Sequence, residues 1–314
     1  MVNNLGALLR AAREAAGVSL SALAGRTHYS KPLLGMLETG KRAVRPEHVR
    51  AYEQALGIDV ERLAATAIAP HRVDRGSLAD TATILGATRR LEDATSASAV
   101  LPAVQGLAQF GVALTLSAGS DLSQQTAALA SEINQYRGSL ELATGNMTAA
   151  DKSLNDAISL AAESNSPDRL VHGLSFKAYA ALINGRTTDA ATLADRSLAV
   201  QGVHPLLRVY DLYQRARILA AAKESLAAQH ALIVADRAAE AASDEEPPES
   251  GYWYTEGLWG LHRGRVLWLT GQQKQGAREV LAGLAAMPDE HREAEWATTW
   301  VRTVLGDNYA TEEW

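Results

Sequence analysis

Three stretches of the chain repeat one pattern: Thr144-Gly145-Asn146-Met147-Thr148-Ala149-Ala150, Asn184-Gly185-Arg186-Thr187-Thr188-Asp189-Ala190 and Thr270-Gly271-Gln272-Gln273-Lys274-Gln275-Gly276. Each opens on a glycine turn, has a small residue five places on (Ala150, Ala190, Gly276), and continues into a helix-type segment. A weaker turn at Lys223-Glu224 fills the gap, so the spacings are 40, about 38 and about 48. The longest interval holds an acidic, proline-rich loop, Ser243-Asp244-Glu245-Glu246-Pro247-Pro248-Glu249-Ser250-Gly251. A period of this length marks a helical hairpin that cannot bury its apolar face alone and must stack on copies of itself. The pattern therefore predicts an array of helical hairpins; a plain helical bundle without superhelical curvature is the alternative.

Composition agrees with helix and excludes several chemistries. Alanine and leucine are abundant, aromatics make up 5%, and Val, Ile, Phe and Tyr show no period of two, so the chain reads as all-α. There is no cysteine, which rules out a disulfide framework, a cysteine nucleophile and a thiolate metal site. The eight histidines are scattered, without a His-x-x-x-His pair, and no glycine-rich phosphate loop or G-x-S-x-G elbow occurs. Asp244-Glu245-Glu246 reads as a solvated charge run, not an acid/base dyad. These readings predict no catalytic residue, no metal, no cofactor and no enzyme activity. Met1-Val2-Asn3-Asn4 has neither a basic nor an apolar leader segment, and no uninterrupted run of about 18 apolar residues exists. The expectation is a cytoplasmic protein with no membrane span.

Charge divides the chain. Residues 1–57 hold eight Lys/Arg against four acids, net +4, whereas residues 58–314 hold 22 against 32, net −10. A small basic head on an acidic body suits a polyanion-binding head whose body is kept off the polyanion.

The head reads as five short helices. Leu5, Leu8, Leu9 and Ala12 lie on one helix face, and Gly17 ends that helix. Ser19 N-caps a second helix carrying Leu20, Leu23 and Ala24. Ser30 N-caps a third, with Pro32 in its first turn, Leu33, Leu34 and Leu37 as apolar positions, and Gly40 as its stop. Pro46 opens a fourth helix with Val49, Tyr52 and Leu56 inward, closed by Gly57, and a fifth spans about residues 60–65. Helices two and three, joined by a three- or four-residue turn, have helix-turn-helix spacing.

Over residues 4–66 the string Leu5-Gly6-Ala7-Leu8-Leu9-Arg10 … Arg13-Glu14-Ala15-Ala16-Gly17 … Leu23-Ala24 … Tyr29-Ser30-Lys31 … Leu37-Glu38-Thr39-Gly40-Lys41 … Arg45-Pro46 resembles the lambda-repressor-like (XRE-type) DNA-binding domains. The resemblance implies an ion pair between Arg13 and Glu38, tying helix one to the end of helix three. It also implies that Lys31, Pro32, Gly35 and Met36 meet base edges, with Leu20 at the start of helix two. Only Lys31 suits guanine acceptors, while Pro32 and Met36 can touch a thymine methyl. Direct readout is therefore thin, and DNA shape and paired half-sites must supply specificity. Lys41, Arg42, Arg45 and the N–H groups near Ser19 and Ser30 are the expected phosphate anchors.

Residues 67–76 break the periodicity and read as a linker, followed by helices over about 77–93 and 97–117, within a connecting segment 77–125. From 126 to 314 the repeats resemble degenerate tetratricopeptide units. Gly138 and Gly264 sit seven places before their turns, where that pattern wants a small residue, and Ala150, Ala157 and Ala190 fit its other small positions. All six tryptophans fall late, at 253, 259, 268, 296, 300 and 314. They suit either a C-terminal core or dimer interface, or an aromatic-walled effector pocket including Tyr252, Trp253 and Tyr254. Asn134 and Asn184 lie on inner-helix segments, where an asparagine can clamp a peptide backbone, as in the peptide-sensing regulators this layout resembles.

Together these features read as an actinobacterial-style transcriptional regulator. A helix-turn-helix head at residues 1–66 would bind double-stranded operator DNA as a homodimer, and a tetratricopeptide-like body would dimerise and take a small-molecule or peptide effector. The rival reading is a protein-interaction scaffold whose helix-turn-helix no longer binds DNA.

Overall fold

The computed structural model describes residues 4–16, 18–57 and 59–306, so Gly17, Ile58 and Trp314 lie outside the described residues. Among the described residues all regular structure is helical. The chain forms two compact units, one running to Gly145 and including Ser159–Asn165, the other made of Asn146–Ile158 and the residues from Ser166 onward.

In the first unit, α1 (Asn4–Ala15), α2 (Leu20–Thr27), α3 (Lys31–Glu38), α4 (Pro46–Leu56) and α5 (Val60–Ile68) form the head. Their ends follow from local chemistry. Ser19 Oγ accepts the Ala22 N–H at 3.0 Å and Ser30 Oγ accepts the Leu33 N–H at 3.4 Å, so two orphan donors are satisfied by side chains. Gly57 closes α4 with φ +69°, a conformation open to glycine at no steric cost. Leu8, Leu9, Leu23, Leu34, Leu37, Val49 and Tyr52 fill the head's interior. Helix α1 crosses α3 so closely that a Cβ on Gly6 would stand 2.2 Å from the Leu37 carbonyl oxygen.

The same core continues into α6 (Arg75–Asp93), α7 (Ala97–Ser117) and α8 (Ser123–Ala143) through Ile84, Val104, Leu107, Phe110 and Ile133. Residues 67–76 carry the chain between these parts as ordered structure. Helix α5 extends to Ile68, Pro70–Arg72 form a 3-10 turn, Val73 is buried, and Asp74 caps α6. That cap is reciprocal: Asp74 Oδ1 accepts the Ser77 N–H at 2.7 Å, and Ser77 Oγ accepts the Asp74 N–H at 3.0 Å. Helix α1 rests on α7 at Ala7, whose Cβ would lie 2.9 Å from a Cβ on Gly106. By length and composition α7 is apolar enough to cross a membrane, although polar residues interrupt its run; in this fold Val100, Val104, Leu107, Phe110 and Leu114 are buried in the unit's core.

The second unit holds the first part of α9 (Met147–Ser164) and three helical hairpins. These are α10 (Pro167–Ile183) with α11 (Thr187–Ala199), α12 (Pro205–Ala221) with α13 (Ser225–Ala241), and α14 (Glu256–Leu269) with α15 (Gln273–Ala286). Short α16 (Asp289–Arg292) and α17 (Glu295–Leu305) follow. Each hairpin packs on the next, α10 against α12 and α12 against α14, giving the helical repeat-like region that the sequence period demands.

The turns within the hairpins share one geometry. Gly185, Lys223 and Gly271 all have positive φ, at 74°, 65° and 92°. The next N–H donates five residues back, from Arg186 to Ala181, Glu224 to Leu219 and Gln272 to Leu267, at 2.9, 3.0 and 2.9 Å. That is the bond pattern of a left-handed helix stop. Five residues after each turn, Ala190, Ala228 and Gly276 are buried at the helix crossing. Helices α14 and α15 approach closely: a Cβ on Gly264 would meet the Gly276 carbonyl oxygen at 2.6 Å, and one on Gly276 would meet that of Gly264 at 2.7 Å. Gly264 is thus a small residue of helix approach; Gly138 is buried in α8.

Candidate nucleic-acid interface

The head's third helix is held by one buried polar cluster. Arg13 Nε and Nη2 donate to the two oxygens of Glu38 at 2.7 and 2.8 Å, and Arg13 Nη1 donates to the Val18 carbonyl at 2.9 Å. Tyr52 Oη adds a bond to Glu38 Oε1 at 2.9 Å. A forked arginine–carboxylate pair fixes orientation as well as distance, so α1, α3 and α4 are locked in register. Burial alone would lower the Arg13 pKa, but the hydrogen bond and charge of Glu38 outweigh it and raise it. Burial, followed by the Glu38 charge, pushes the Tyr52 phenol well up. The Arg13–Glu38 pair follows from the resemblance. Tyr52 as its third member does not, and the only signal for it is a phenol on an inward face, which needs a partner.

Helix α4 is capped by an unanticipated group. His48 Nδ1 accepts the Arg45 N–H at 3.0 Å, and its ring stands edge-on to Tyr29 at 5.3 Å. Burial, then the charges of Arg42 and Arg45, lower the His48 pKa, which favours the neutral acceptor form.

Helices α2 and α3 are joined by His28, Tyr29 and Ser30, with His28 at φ 61°. On α3, Lys31, Pro32 and Met36 are exposed, Met36 at 38%; Pro32 and Met36 lie one helical turn apart on one face. The Arg42 N–H donates to the Met36 carbonyl at 3.0 Å, folding the Lys41-Arg42 turn back against the end of α3. Among the described residues Lys31, Lys41 and Arg42 have no acidic partner, and Arg45 meets only Glu47, at 3.8 Å in solvent. Ser19 and Ser30 stand exposed at the two helix starts. Gly35 and Leu20, each part-exposed, stand against each other: a Cβ on Gly35 would touch Leu20 Cδ2 at 3.5 Å, and Leu20 packs on the core. Leu33 is likewise part-buried against the core. The open face is therefore cationic at its edges and apolar at its centre.

The residues suggested for an effector pocket are only partly brought together. Asn134, in α8 of the first unit, is buried and its Nδ2 donates to Ala130 O at 2.8 Å. Asn184 ends α10 in the second unit, its Nδ2 donating to Ala180 O at 2.9 Å. Each amide gives an N–H to its own helix. Tyr254 meets the other end of α10, where its Oη lies 2.8 Å from His172 Nε2 and Trp253 stacks on the same imidazole at 6.4 Å. Twelve helical residues put Asn184 roughly 18 Å from that point. Tyr252 packs edge-on against Trp253 at 5.0 Å. Trp253, Trp259, Trp268, Trp296 and Trp300 all pack in or against the second unit's core, Trp259 stacking on Tyr213 at 5.6 Å and Tyr254 at 5.7 Å. Among the described residues no group of three or more histidines and acids is placed to hold a metal ion.

Residues 4–66 match the family model described as "Helix-turn-helix domain", the span of α1 to α5. No curated protein and no solved structure matches the chain. The head is a helix-turn-helix domain by sequence match and by geometry, and it is followed by a helical repeat-like region.

Proposed function

We propose that this chain is a cytoplasmic, sequence-specific DNA-binding transcriptional regulator of the lambda-repressor-like type. Helix α3 enters the major groove and the tetratricopeptide-like hairpins serve dimerisation and effector sensing. One observation carries the reading: a helix-turn-helix whose exposed cations, Lys31, Lys41 and Arg42, have no acidic partner among the described residues. Such cations at the rim of a recognition helix suit phosphate oxygens. One head offers few base contacts, so a two-fold dimer on spaced half-sites supplies the remaining affinity. Effector binding would act by favouring one dimer geometry and hence one head spacing, which requires different effector affinities in the two states. The reading is that of a binding protein, with no catalytic step.

The test is DNA binding by the purified chain, using duplex from its own upstream region and a scrambled duplex of equal length, at two salt concentrations. Preference for the upstream duplex is expected. With Lys41, Arg42 and Arg45 on phosphates in both subunits, the log–log salt slope is expected near about −5. Lys31→Ala should lose about 1–3 kcal/mol of sequence preference, whereas Arg42→Ala, which removes one contact from each subunit, should weaken binding to both duplexes and flatten the slope by about two. Equal effects of both variants on both duplexes would contradict this division of roles. The apolar centre of the face, Pro32 and Met36, also favours a second reading, a scaffold that docks a protein through the head; no binding to either duplex would select it.

A further inference from the structure

The second unit buries an arginine that none of its neighbours neutralises. Arg217, on α12, is 6% exposed. Its Cζ lies 4.8 Å from the Tyr179 ring of α10 and 5.8 Å from the Trp300 ring of α17. Rings attract the charge but accept none of the five guanidinium N–H groups in ordinary hydrogen bonds. Among the described residues no carboxylate and no carbonyl takes them either. Acids of its own hairpin and the next are engaged elsewhere: Asp211, six residues before Arg217, receives Ser175 and Ser197, while Asp236, Glu256 and Glu279 surround Arg263 at 2.9, 3.6 and 3.4 Å.

A second cation stands beside it. Arg265, two residues after the well-paired Arg263, has no acidic partner among the described residues and gives Nη1 to the Thr303 carbonyl. Burial first, and then the Arg217 charge, lower the Arg265 pKa. On the same helix His262 is buried, its Nδ1 lacks a partner, and burial and then Arg217 hold its pKa down at about 3. The charge felt at both positions is Arg217, a repulsion that no carboxylate among the described residues relieves. Tyr179, Arg265 and Trp300 are each part-exposed, so the cluster is open to solvent at that edge. A chain that kept Arg217 for stability alone would do as well with an apolar residue of like volume, because a charge that is mostly buried without a counter-ion is unfavourable.

We propose that Arg217 and Arg265 form a binding site for the anionic oxyacid group of a ligand, a carboxylate or a phosphate, seated at the N–H edge of the fork that Tyr179 and Trp300 flank. The guanidinium fork matches either group, and the aromatic faces hold the fork in place before the ligand arrives. The site lies wholly on α10, α12, α14 and α17. Its role as the signal input of a regulator rests on the function proposed above, but binding itself does not.

Tryptophan emission of the full chain, titrated at constant ionic strength with inorganic phosphate and separately with benzoate, reads the site through Trp300. Saturable change is expected with at least one probe, and which one saturates distinguishes a phosphate-bearing from a carboxylate-bearing ligand. Arg217→Met and Arg265→Met should each weaken that binding at least tenfold, while Arg217→Lys, keeping charge but not the fork, should weaken it less. Without anion, Arg217→Met should melt no lower than the parent chain, and only the parent should gain melting temperature on adding the probe. Failure of both probes to saturate the parent chain overturns the proposal, as does undiminished binding by Arg265→Met. So does a melting temperature for anion-free Arg217→Met well below the parent, since Arg217 would then be structural. No DNA enters the experiment, so its failure leaves the DNA-binding reading standing, and failure of DNA binding leaves this site standing.

Discussion

Arg13 in the head and Arg217 in the hairpin stack are both more than nine-tenths buried, with 8% and 6% exposure, and they differ in what faces the guanidinium. Arg13 has both oxygens of Glu38 and the Val18 carbonyl, with Tyr52 completing the carboxylate's partners. Arg217 has the rings of Tyr179 and Trp300. Asp211, six residues before Arg217, is also buried without a cation in contact and relies on the hydroxyls of Ser175 and Ser197. The head therefore pairs its buried charges, and the stack keeps two of its own apart. Paired charge fixes geometry, which a domain that reads a rigid duplex needs. Unpaired charge leaves donors free for something brought from outside.

The largest expected effect lies on the paired side. Glu38→Ala leaves the Arg13 charge and the Tyr52 hydroxyl buried without their partner, and removing one member of a buried pair costs about 3–5 kcal/mol. Urea unfolding of the full chain should show the head's transition moving by that amount, while Arg217→Met moves its own region little or in the stabilising direction. A loss below about 1 kcal/mol for Glu38→Ala would erase the contrast, because the Arg13–Glu38 pair would then be no more structural than the unpaired arginine.

Asp211 gives the next effect and carries a sign. Burial pushes its pKa up to about 6, with the bonds from Ser175 and Ser197 opposing, against 3.8 for the unperturbed group. The folded state thus holds a proton that the unfolded state releases between about pH 4 and 6. That stability is fully present below about pH 4 and lost as pH rises through about 6, a loss of about 3 kcal/mol at one unit per 1.36 kcal/mol. His262 has the opposite slope: burial lowers it to about 3, so its contribution is present above about pH 6.5 and lost on acidification. The two overlap, so the difference between parent and Asp211→Asn isolates the carboxyl. The asparagine variant should gain on the parent from pH 4 to pH 7 in urea unfolding. Parallel stability profiles would mean that the ionised Asp211 is as well stabilised in the fold as in water and that the stack, too, compensates its charges.

What the sequence disclosed and what it hid divide along the same physical line. The ends of α2, α3 and α4 were legible because a cap is local: Ser19, Ser30, Pro46 and Gly57 act on the two or three residues beside them. The hairpin turns at Gly185 and Gly271 were legible for the same reason. Tyr52 reaching Glu38 across 14 residues was not, nor was Tyr254 reaching His172 across 82, since nothing local specifies which helices cross. The open face was half legible. The positions of Lys31, Pro32 and Met36 follow from helical spacing, but Gly35 faces Leu20 only because of how α2 crosses α3. Arg217 and Arg265 read as ordinary charges until three helices and a fourth are laid together.

The smallest effect tests whether the stack's turns are one device. Gly185 and Gly271 occupy positive φ, and a Cβ at either would have nothing within 4 Å, so an alanine there meets no clash and bears only the cost of the left-handed backbone. Gly185→Ala should therefore destabilise by about 1–2 kcal/mol. Lys223 holds the equivalent place at φ 65° and already carries that strain. Lys223→Gly relieves it and adds chain entropy to the unfolded state, which takes back about 0.5–1 kcal/mol. The net expectation is a gain of about 0.5 kcal/mol, opposite in sign to the alanine substitution and resolvable by paired urea titrations. A loss at Lys223→Gly would mean that this side chain contributes more than its strain removes, and that the middle hairpin, the one that carries Asp211 and Arg217, is closed by something other than the shared turn.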